Sequence, residues 1–168
     1  MQYNIASQLP QDFSPESRVW IYQSNRPFNE QEEKEINEQL FQFSQSWKSH
    51  TEPVKGFGKL FFRQFIILMA DESATGVSGC STDSSVRLIK SLEKQYAVSL
   101  FDRLLILFFI KNKMEMLPLS QVQHAFEKGF INEDTLFFNN TISTKAALEN
   151  NWLIPIKGSW LMKKIPAL

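Results

Sequence analysis

The chain has 168 residues, 43% of them hydrophobic and 15 of them Phe, which is enough apolar surface for a buried core and excludes a disordered chain. Its 18 basic and 18 acidic residues cancel, which argues against a nucleic-acid partner, because general nucleic-acid affinity comes from cations that neutralise phosphates. Cys80 is the only cysteine, so the sequence excludes an intramolecular disulfide and favours a reducing compartment.

No stretch of the sequence has the features of an export or membrane segment. Residues 1–13 lack the basic and apolar regions of a secretory signal, and the longest apolar run, 104–110, is too short to cross a bilayer. We therefore expect a cytoplasmic protein with no membrane partner. The chain is predicted to form a single domain over 1–168, with an N-terminal arm (1–17), an α+β core (18–112) and a C-terminal extension (113–168).

The first ordered element is predicted at Arg18. Residues 1–17 are polar and contain Pro10 and Pro15, which is typical of an extended arm on the surface. The β-branched and aromatic residues from Val19 to Tyr22 then predict a strand with apolar side chains on both faces. Such a strand is typical of the centre of a sheet.

The clearest helix begins after Asn29. This residue and Glu32 have the spacing of a capping box. Apolar residues then recur at helical spacing, at Ile36, Leu40, Phe43 and Trp47. The remaining positions are mostly acidic or amide residues, so one stripe of this helix is predicted to be buried and the rest solvated.

The long apolar stretch 58–70 is predicted to be a hairpin that turns at Arg63 and Gln64, because it exceeds the length of most strands. No Gly, Asn or Asp marks the turn, so a single long strand remains an alternative. A loop over 71–85 precedes a second helix, whose apolar face includes Ile89 and Leu92, and 104–110 is predicted to be the next strand.

This order of elements predicts a ferredoxin-like split βαβ sheet, β-α-β-β-α-β, with both helices on one face. A three-stranded parallel α/β unit is the alternative if the hairpin is wrong. The extension is predicted to contain a helix after Pro118 that ends at Gly129, a strand over 136–138, a turn of helix capped by Ser143 and a strand over 152–154. Because the strands at 65–70 and 104–110 need apolar neighbours on both sides, we expect this extension to cover the sheet face opposite the helices.

Segment 76–85 is where the sequence favours chemistry. It leaves a buried strand and enters a helix, so its N–H groups and the positive end of the helix dipole face one point, which attracts anions. We predict a site for a small anion or phosphate formed by Gly79, Cys80, Ser81, Thr82, Asp83, Ser84 and Ser85. The spacing matches neither a P-loop nor a dinucleotide fingerprint. The alternative is that Ser81, Asp83 and Ser84 compete to cap the helix.

Cys80 is also a candidate nucleophile or redox-sensitive thiol, because a helix N-terminus stabilises a thiolate. A nucleophilic thiol needs a base, and only His50 and His124 are available, neither of them placed by a motif. An ordinary surface role is the alternative for both histidines.

Two further groups of residues have competing interpretations. Asp71, Glu72 and Asp83 are either ligands of a hard cation such as Mg²⁺ or ordinary residues of a turn or helix cap. The sequence does not identify a cofactor. The aromatic stretch 152–160, with Trp152 and Trp160, is predicted either to line a ligand groove or to pack in the core.

Four segments together resemble a family of uncharacterised bacterial proteins, over most of the chain. They are 17–23 (Ser-Arg-Val-Trp-Ile-Tyr-Gln), 71–73 (Asp-Glu-Ser), 79–85 (Gly-Cys-Ser-Thr-Asp-Ser-Ser) and 152–160. Members sometimes carry the label "ABC transporter ATPase", whereas this sequence has no glycine-rich Lys-Ser/Thr loop for phosphates. The resemblance implies no catalytic role for any residue.

Three kinds of function follow from these observations. The first is a binding domain whose loop at 76–85 holds a small anionic ligand. The second is a structural or scaffold protein, for example a homo-oligomer joined through a sheet edge or an aromatic patch. The third is an enzyme that uses Cys80 or the carboxylates of Asp71, Glu72 and Asp83.

Overall fold

The computed structural model describes residues 5–165. These residues form four α-helices and nine strands, which confirms the α+β class. In chain order the elements are β1 (Arg18–Gln23), α1 (Glu30–Ser46), β2 (Lys48–Ser49), β3 (Glu52–Pro53), β4 (Lys55–Phe61), β5 (Phe65–Asp71), α2 (Gly79–Tyr96), β6 (Leu105–Ile110), β7 (Lys113–Pro118), α3 (Leu119–Glu127), β8 (Leu136–Phe138), α4 (Lys145–Asn151) and β9 (Leu153–Pro155). None of the helices within 5–165 is long and apolar enough to cross a lipid bilayer.

The first sheet has the strand order β1-β5-β4, with antiparallel neighbours. Every residue of β5 is buried, because this strand lies at the centre of the sheet and both of its faces are covered. β4 and β5 form the predicted hairpin, in which Phe61 pairs with Phe65, so the alternative of a single long strand is wrong. The prediction that β1 is a central strand is also wrong, since β1 lies at the edge.

Both long helices cover one face of this sheet. α1 begins at the predicted capping box of Asn29 and Glu32. Apolar side chains of the two helices and of β5 share one buried cluster, which includes Ile36, Leu40, Ile66, Leu68, Ile89 and Leu92. Between α1 and β4 the chain forms a small hairpin of β2 and β3 that the sequence did not predict.

The strand predicted to complete a ferredoxin-like sheet, β6, lies in a second sheet with the order β7-β6-β8-β9. The order of β1, β4 and β5 and the position of the helices agree with a split βαβ unit, but the four-stranded sheet does not form. β6 pairs instead with β7, which follows it after a two-residue turn. Pairing with β7 closes a far shorter loop than pairing with β1 would, so it costs less conformational entropy. The parallel α/β alternative is wrong because the strand pairs in both sheets are antiparallel.

The two sheets pack face to face. Their shared core contains Phe65, Ile67 and Met69 of β5, Leu107 of β6 and Phe138 of β8. The outer face of the second sheet is covered by α3 and the segment after β9, through a cluster that includes Ile106, Phe108, Val122, Ile156 and Leu161. The layers therefore run helix, sheet, sheet, helix. The cover expected opposite α1 and α2 is present, and it is the second sheet that supplies it.

The N-terminal arm is more than a surface segment, contrary to the prediction. The core between the sheets includes three apolar residues of the arm, Ile5, Leu9 and Phe13. They are spaced four residues apart, and this regular spacing could have predicted their burial although the arm is mostly polar. The Lys145 Nζ donates a hydrogen bond to the Phe13 carbonyl at 3.2 Å, which fixes the arm to α4. Residues 1–4 of the predicted arm lie outside the described residues.

Candidate ligand-binding site

The predicted anion-binding segment forms the first turns of α2 and the loop before them. α2 begins at Gly79, and its N-cap is Ser78, whose hydroxyl accepts a hydrogen bond from the Ser81 N–H at 3.3 Å. The alternative in which Ser81, Asp83 or Ser84 caps the helix is therefore wrong, because residues 79–85 are already helical.

The hydroxyl groups of this segment donate hydrogen bonds within the protein. Those of Thr82, Ser84 and Ser85 donate to carbonyls about one turn earlier, at 2.7–3.1 Å. The Ser81 hydroxyl donates to the Lys48 carbonyl at 2.7 Å. Such bonds back to the helix are what allow several serines to follow one another in a helical segment. These hydroxyl hydrogens already bond to carbonyls of the protein. The anion-site prediction needs hydroxyl hydrogens that are available to a ligand.

Two backbone groups of the segment remain available to a ligand. Gly79 and Cys80 are exposed and occupy the first two positions of α2, where an N–H has no partner within the helix. The Cys80 thiol is exposed as well. Asp83 is exposed on the same turns and carries a negative charge, which disfavours an anion nearby.

The carboxylates before α2 order the loop. Asp71 is buried, and its pKa is lowered to about 2, chiefly by the hydrogen bond from the Ser73 hydroxyl. Glu72 Oε1 accepts the Val77 N–H at 2.7 Å. Within residues 5–165 no group of three or more His, Cys, Asp or Glu side chains is arranged to hold a metal ion. The alternative of a cation held by Asp71, Glu72 and Asp83 thus has no geometric support.

The histidines do not assemble a catalytic pair. His50 is exposed in the turn between β2 and β3, where its φ is 56°. His124 is exposed on α3. Neither of them hydrogen-bonds to Cys80 in the described part of the chain.

A cavity of about 110 Å³ lies between the two sheets, beside the edge of β1. We call it the inter-sheet cavity. Its lining comes from Ile21, Tyr22 and Gln23 of β1, from the connection between α2 and β6, from the end of β8 and the turn after it, and from Trp160. A more open depression of about 300 Å³ continues it along β1 toward Arg18, so the two form one groove.

The free edge of β1 forms one wall of this groove. The Val19 N–H points away from β5 and donates to the Ser143 carbonyl at 2.9 Å. Because backbone groups alternate in direction along a strand, the N–H and carbonyl of Ile21 face the same side. The backbone of the segment after β8 pairs with β1 near Arg18, through a bridge to Thr144. Ile21 therefore presents a backbone donor and a backbone acceptor beside the cavity.

A network of side-chain amides closes the inner end of the cavity. Gln23 donates to the Leu105 carbonyl at 3.1 Å, and its amide oxygen accepts from Asn140 at 2.9 Å. The Asn140 oxygen accepts from the Trp152 Nε1 at 3.0 Å. In the same way, the Trp160 Nε1 donates a hydrogen bond to the Asn139 amide oxygen at 3.0 Å. These bonds join both sheets and fix the shape of the site.

Arg103 is the cation of the site, and the Asp102 carboxylate lines the cavity beside it. Arg103 lines both the cavity and the adjoining depression, and its guanidinium makes no hydrogen bond or ion pair with any residue in the described range 5–165. Burial raises the pKa of Tyr22, while the nearby positive charge of Arg103 opposes that shift. The neighbouring Asp102 carboxylate accepts the Leu104 N–H at 2.9 Å instead of pairing with Arg103.

The aromatic stretch near the C-terminus divides between its two predicted roles. Trp152 is buried in the core, where its ring packs against Phe65 and Phe138 at centroid distances of 4.9 and 5.0 Å. Trp160 lines the cavity. Sequence reasoning missed the rest of the site, because its residues come from three segments that meet only when the sheets pack.

Comparisons of the chain with protein-family models, with curated proteins and with solved structures find no match. The resemblance to the bacterial family therefore stays a prediction.

Proposed function

We propose that this protein is a binding domain for a small organic anion and that the ligand occupies the inter-sheet cavity. The class of function is the one that the sequence favours, but the place differs from segment 76–85. A concave, largely apolar cavity with a few convergent polar groups is the usual form of a small-molecule site.

The observation that carries this proposal is the unpaired guanidinium of Arg103 beside the cavity. Arg103 is exposed, and it borders a site that is walled by Tyr22, Phe101 and other apolar side chains. An anion that packs against these walls meets the cation where water screens charge less effectively than in bulk solvent. An anion that binds there gains a charge-assisted hydrogen bond to a donor that loses no other partner.

Preorganisation of the walls also supports a ligand site. The amides of Gln23 and Asn140 are held by hydrogen bonds on both sides, so little side-chain entropy remains to be lost when a ligand binds. The backbone groups of Ile21 add an uncharged donor and acceptor at a fixed position. Together these features favour a ligand that carries one anionic group and one hydrogen-bonding edge.

The proposal is tested by an NMR titration of the ¹⁵N-labelled protein with acetate, benzoate and inorganic phosphate. We expect at least one of these anions to shift the backbone amide signals of Ile21, Arg103 and Thr141 in a saturable way. Arg103→Gln should remove that response. Arg87→Gln is the matched control, because Arg87 is an exposed arginine on α2 without a partner, and it should leave the response unchanged.

The same titration includes the site predicted from the sequence. Cys80→Glu places a negative charge at the second position of α2, which suits the helix dipole and should keep the fold while repelling an anion. Anion-dependent shifts at Gly79 and Cys80 that survive Arg103→Gln and vanish in Cys80→Glu would move the site to α2 and overturn the cavity proposal. No response to any anion, together with self-association in sedimentation experiments, would favour the scaffold alternative.

A further inference from the structure

We infer that the ligand is a planar, single-ring monocarboxylate, with its ring in the inter-sheet cavity and its carboxylate on Arg103. This inference rests on the proposed function and narrows it to one chemical class. It is carried by three properties of the site: the volume of the cavity, the aromatic side chains that line it and the number of unpaired cations around it.

The volume limits the buried part of the ligand to about one ring. The cavity measures about 110 Å³ and is partly open, which is less than the about 150 Å³ of an apolar protein cavity that encloses one benzene molecule, so it takes at most one flat ring and leaves part of that ring in the opening. A nucleotide base with its sugar, or any fused ring system, is therefore too large to be enclosed. The adjoining depression of about 300 Å³ is open and can take a substituent that stays in contact with solvent.

The walls favour a flat ring over a sugar or an aliphatic chain. Tyr22 and Phe101 meet edge to face at 5.4 Å between centroids, and Trp160 supplies a third aromatic side chain. Trp160 is held in place by its hydrogen bond to Asn139. Aromatic side chains pack best against other flat π-systems, in stacked or edge-to-face arrangements. A hydroxyl-rich sugar would leave most of its donors unpaired against these walls.

The charges favour a single negative charge. Arg103 is the one unpaired cation that borders the cavity among residues 5–165. At the far end of the groove, Arg18 already has partners. Its Nη1 lies 3.7 Å from Glu72 Oε1, and its Cζ lies 4.8 Å from the centroid of the Trp20 ring. Asp102 contributes a negative charge on the same loop as Arg103. A phosphate dianion would meet one cation and one carboxylate, whereas a carboxylate matches the two-pronged geometry of one guanidinium.

The test compares four probes by isothermal titration calorimetry on the full chain: benzoate, its neutral isostere benzamide, the non-planar cyclohexanecarboxylate, and inorganic phosphate. We expect benzoate to bind at least about tenfold more tightly than benzamide, because only benzoate forms a charged hydrogen bond with Arg103. Cyclohexanecarboxylate should bind several-fold more weakly than benzoate, and phosphate should bind least. Arg103→Gln should reduce benzoate affinity to that of benzamide, and Arg87→Gln should not change it.

The failures of the two proposals give different results. If phosphate or cyclohexanecarboxylate binds as tightly as benzoate and the binding depends on Arg103, the planar-ring inference is overturned while the anion site stands. If benzamide binds as tightly as benzoate and Arg103→Gln has no effect, the cavity takes a ring but the anion proposal is overturned. If none of the four probes binds, both proposals are overturned.

Discussion

The Asn140 amide nitrogen donates a hydrogen bond to the Gln23 amide oxygen at 2.9 Å, across 117 positions of sequence. Gln23 is 7% exposed and donates in turn to the Leu105 carbonyl, while the Asn140 oxygen accepts from Trp152. Each amide therefore has one orientation that satisfies its partners. This pair ties the free edge of the first sheet to the second sheet and sets the inner end of the cavity.

Replacing Asn140 with Asp tests the importance of this pair. A carboxylate cannot donate, so two oxygens would face each other next to the buried Gln23, and we expect a loss of about 1–3 kcal/mol in the free energy of unfolding at pH 7. Urea denaturation measures the loss. Asn132→Asp is the control, because the Asn132 oxygen accepts from the Asp134 N–H at 2.9 Å and its amide nitrogen donates no bond within residues 5–165. Equal losses in the two variants would contradict the role given to the pair.

Acid should weaken the start of α1. Two hydrogen bonds from Arg26, each 2.9 Å long, are the main cause that lowers the pKa of Glu32 from 4.5 to about 2, with help from the Asn29 N–H. A carboxylate with a lowered pKa in the folded state stabilises the fold above its unfolded pKa, and this contribution is lost as the pH falls toward the folded value. Glu32→Gln should therefore be destabilising at pH 7, and the difference from wild type should shrink between about pH 4.5 and 2.

Denaturation curves at a series of pH values measure this convergence. Glu38→Gln, an exposed change on the same helix, should show a small and nearly constant difference. A Glu32→Gln difference that stays the same from pH 7 to pH 2 would show that the carboxylate charge does not stabilise this helix start.

The elements that sequence reasoning identified are those determined by neighbours in the chain. The capping box at Asn29 and Glu32, and the hairpin between β4 and β5, depend on residues a few positions apart. The assignment of β6 to the first sheet failed because strand pairing is set by distant partners. The missed strand β7 had a usable signal: Met114 and Met116 alternate with charged residues, and both pack against the core between the sheets.

The candidate site also depends on residues that are distant in the sequence, which local patterns do not reveal. Segment 76–85 has the composition of an anion-binding loop, but the hydroxyls of Thr82, Ser84 and Ser85 donate to carbonyls of the same segment, and composition does not reveal these bonds. The cavity joins Ile21, Arg103 and Asn140, which are separated by tens of residues and carry no motif. Only the packing of one sheet on the other brings them together, so no local pattern could have predicted the site.

Close packing of α1 on β4 depends on Gly58. A Cβ at this position would lie 3.1 Å from Leu68 Cδ2 and 3.2 Å from Leu40 Cβ, so the helix or the sheet would have to shift. We expect Gly58→Ala to lower the free energy of unfolding by about 1–3 kcal/mol, although Ala is otherwise the better strand residue. Gly79→Ala makes the same exchange at the start of α2 with nothing within 4 Å, and should be neutral or slightly stabilising in thermal denaturation. A stable Gly58→Ala variant would contradict the close approach.

Two hairpin turns with positive φ at both central residues should respond in opposite ways to the same redesign. Lys111 and Asn112 join β6 to β7 with φ values of 48° and 64°. Three residues, Phe62, Arg63 and Gln64, join β4 to β5, with φ values of 52° and 55° at Phe62 and Arg63. Positive φ at both central residues is the pattern of a type I′ turn, for which Asn-Gly is the preferred pair. Lys111 makes no hydrogen bond or ion pair within residues 5–165, so Lys111→Asn with Asn112→Gly should stabilise the protein by about 1 kcal/mol by relieving backbone strain.

At the turn between β4 and β5, we expect the side-chain contacts to stabilise the protein more than the backbone strain destabilises it. The Arg63 Nε donates to the Phe28 carbonyl at 2.6 Å, and the Phe62 ring stacks on Trp152 at 5.9 Å between centroids. Phe62→Asn with Arg63→Gly relieves a similar strain but removes both contacts, and the loss of a partly buried ring alone exceeds the gain. Melting temperatures should therefore rise for the first redesign and fall for the second. A rise in both would mean that the contacts of Phe62 and Arg63 stabilise the hairpin less than its strained backbone costs.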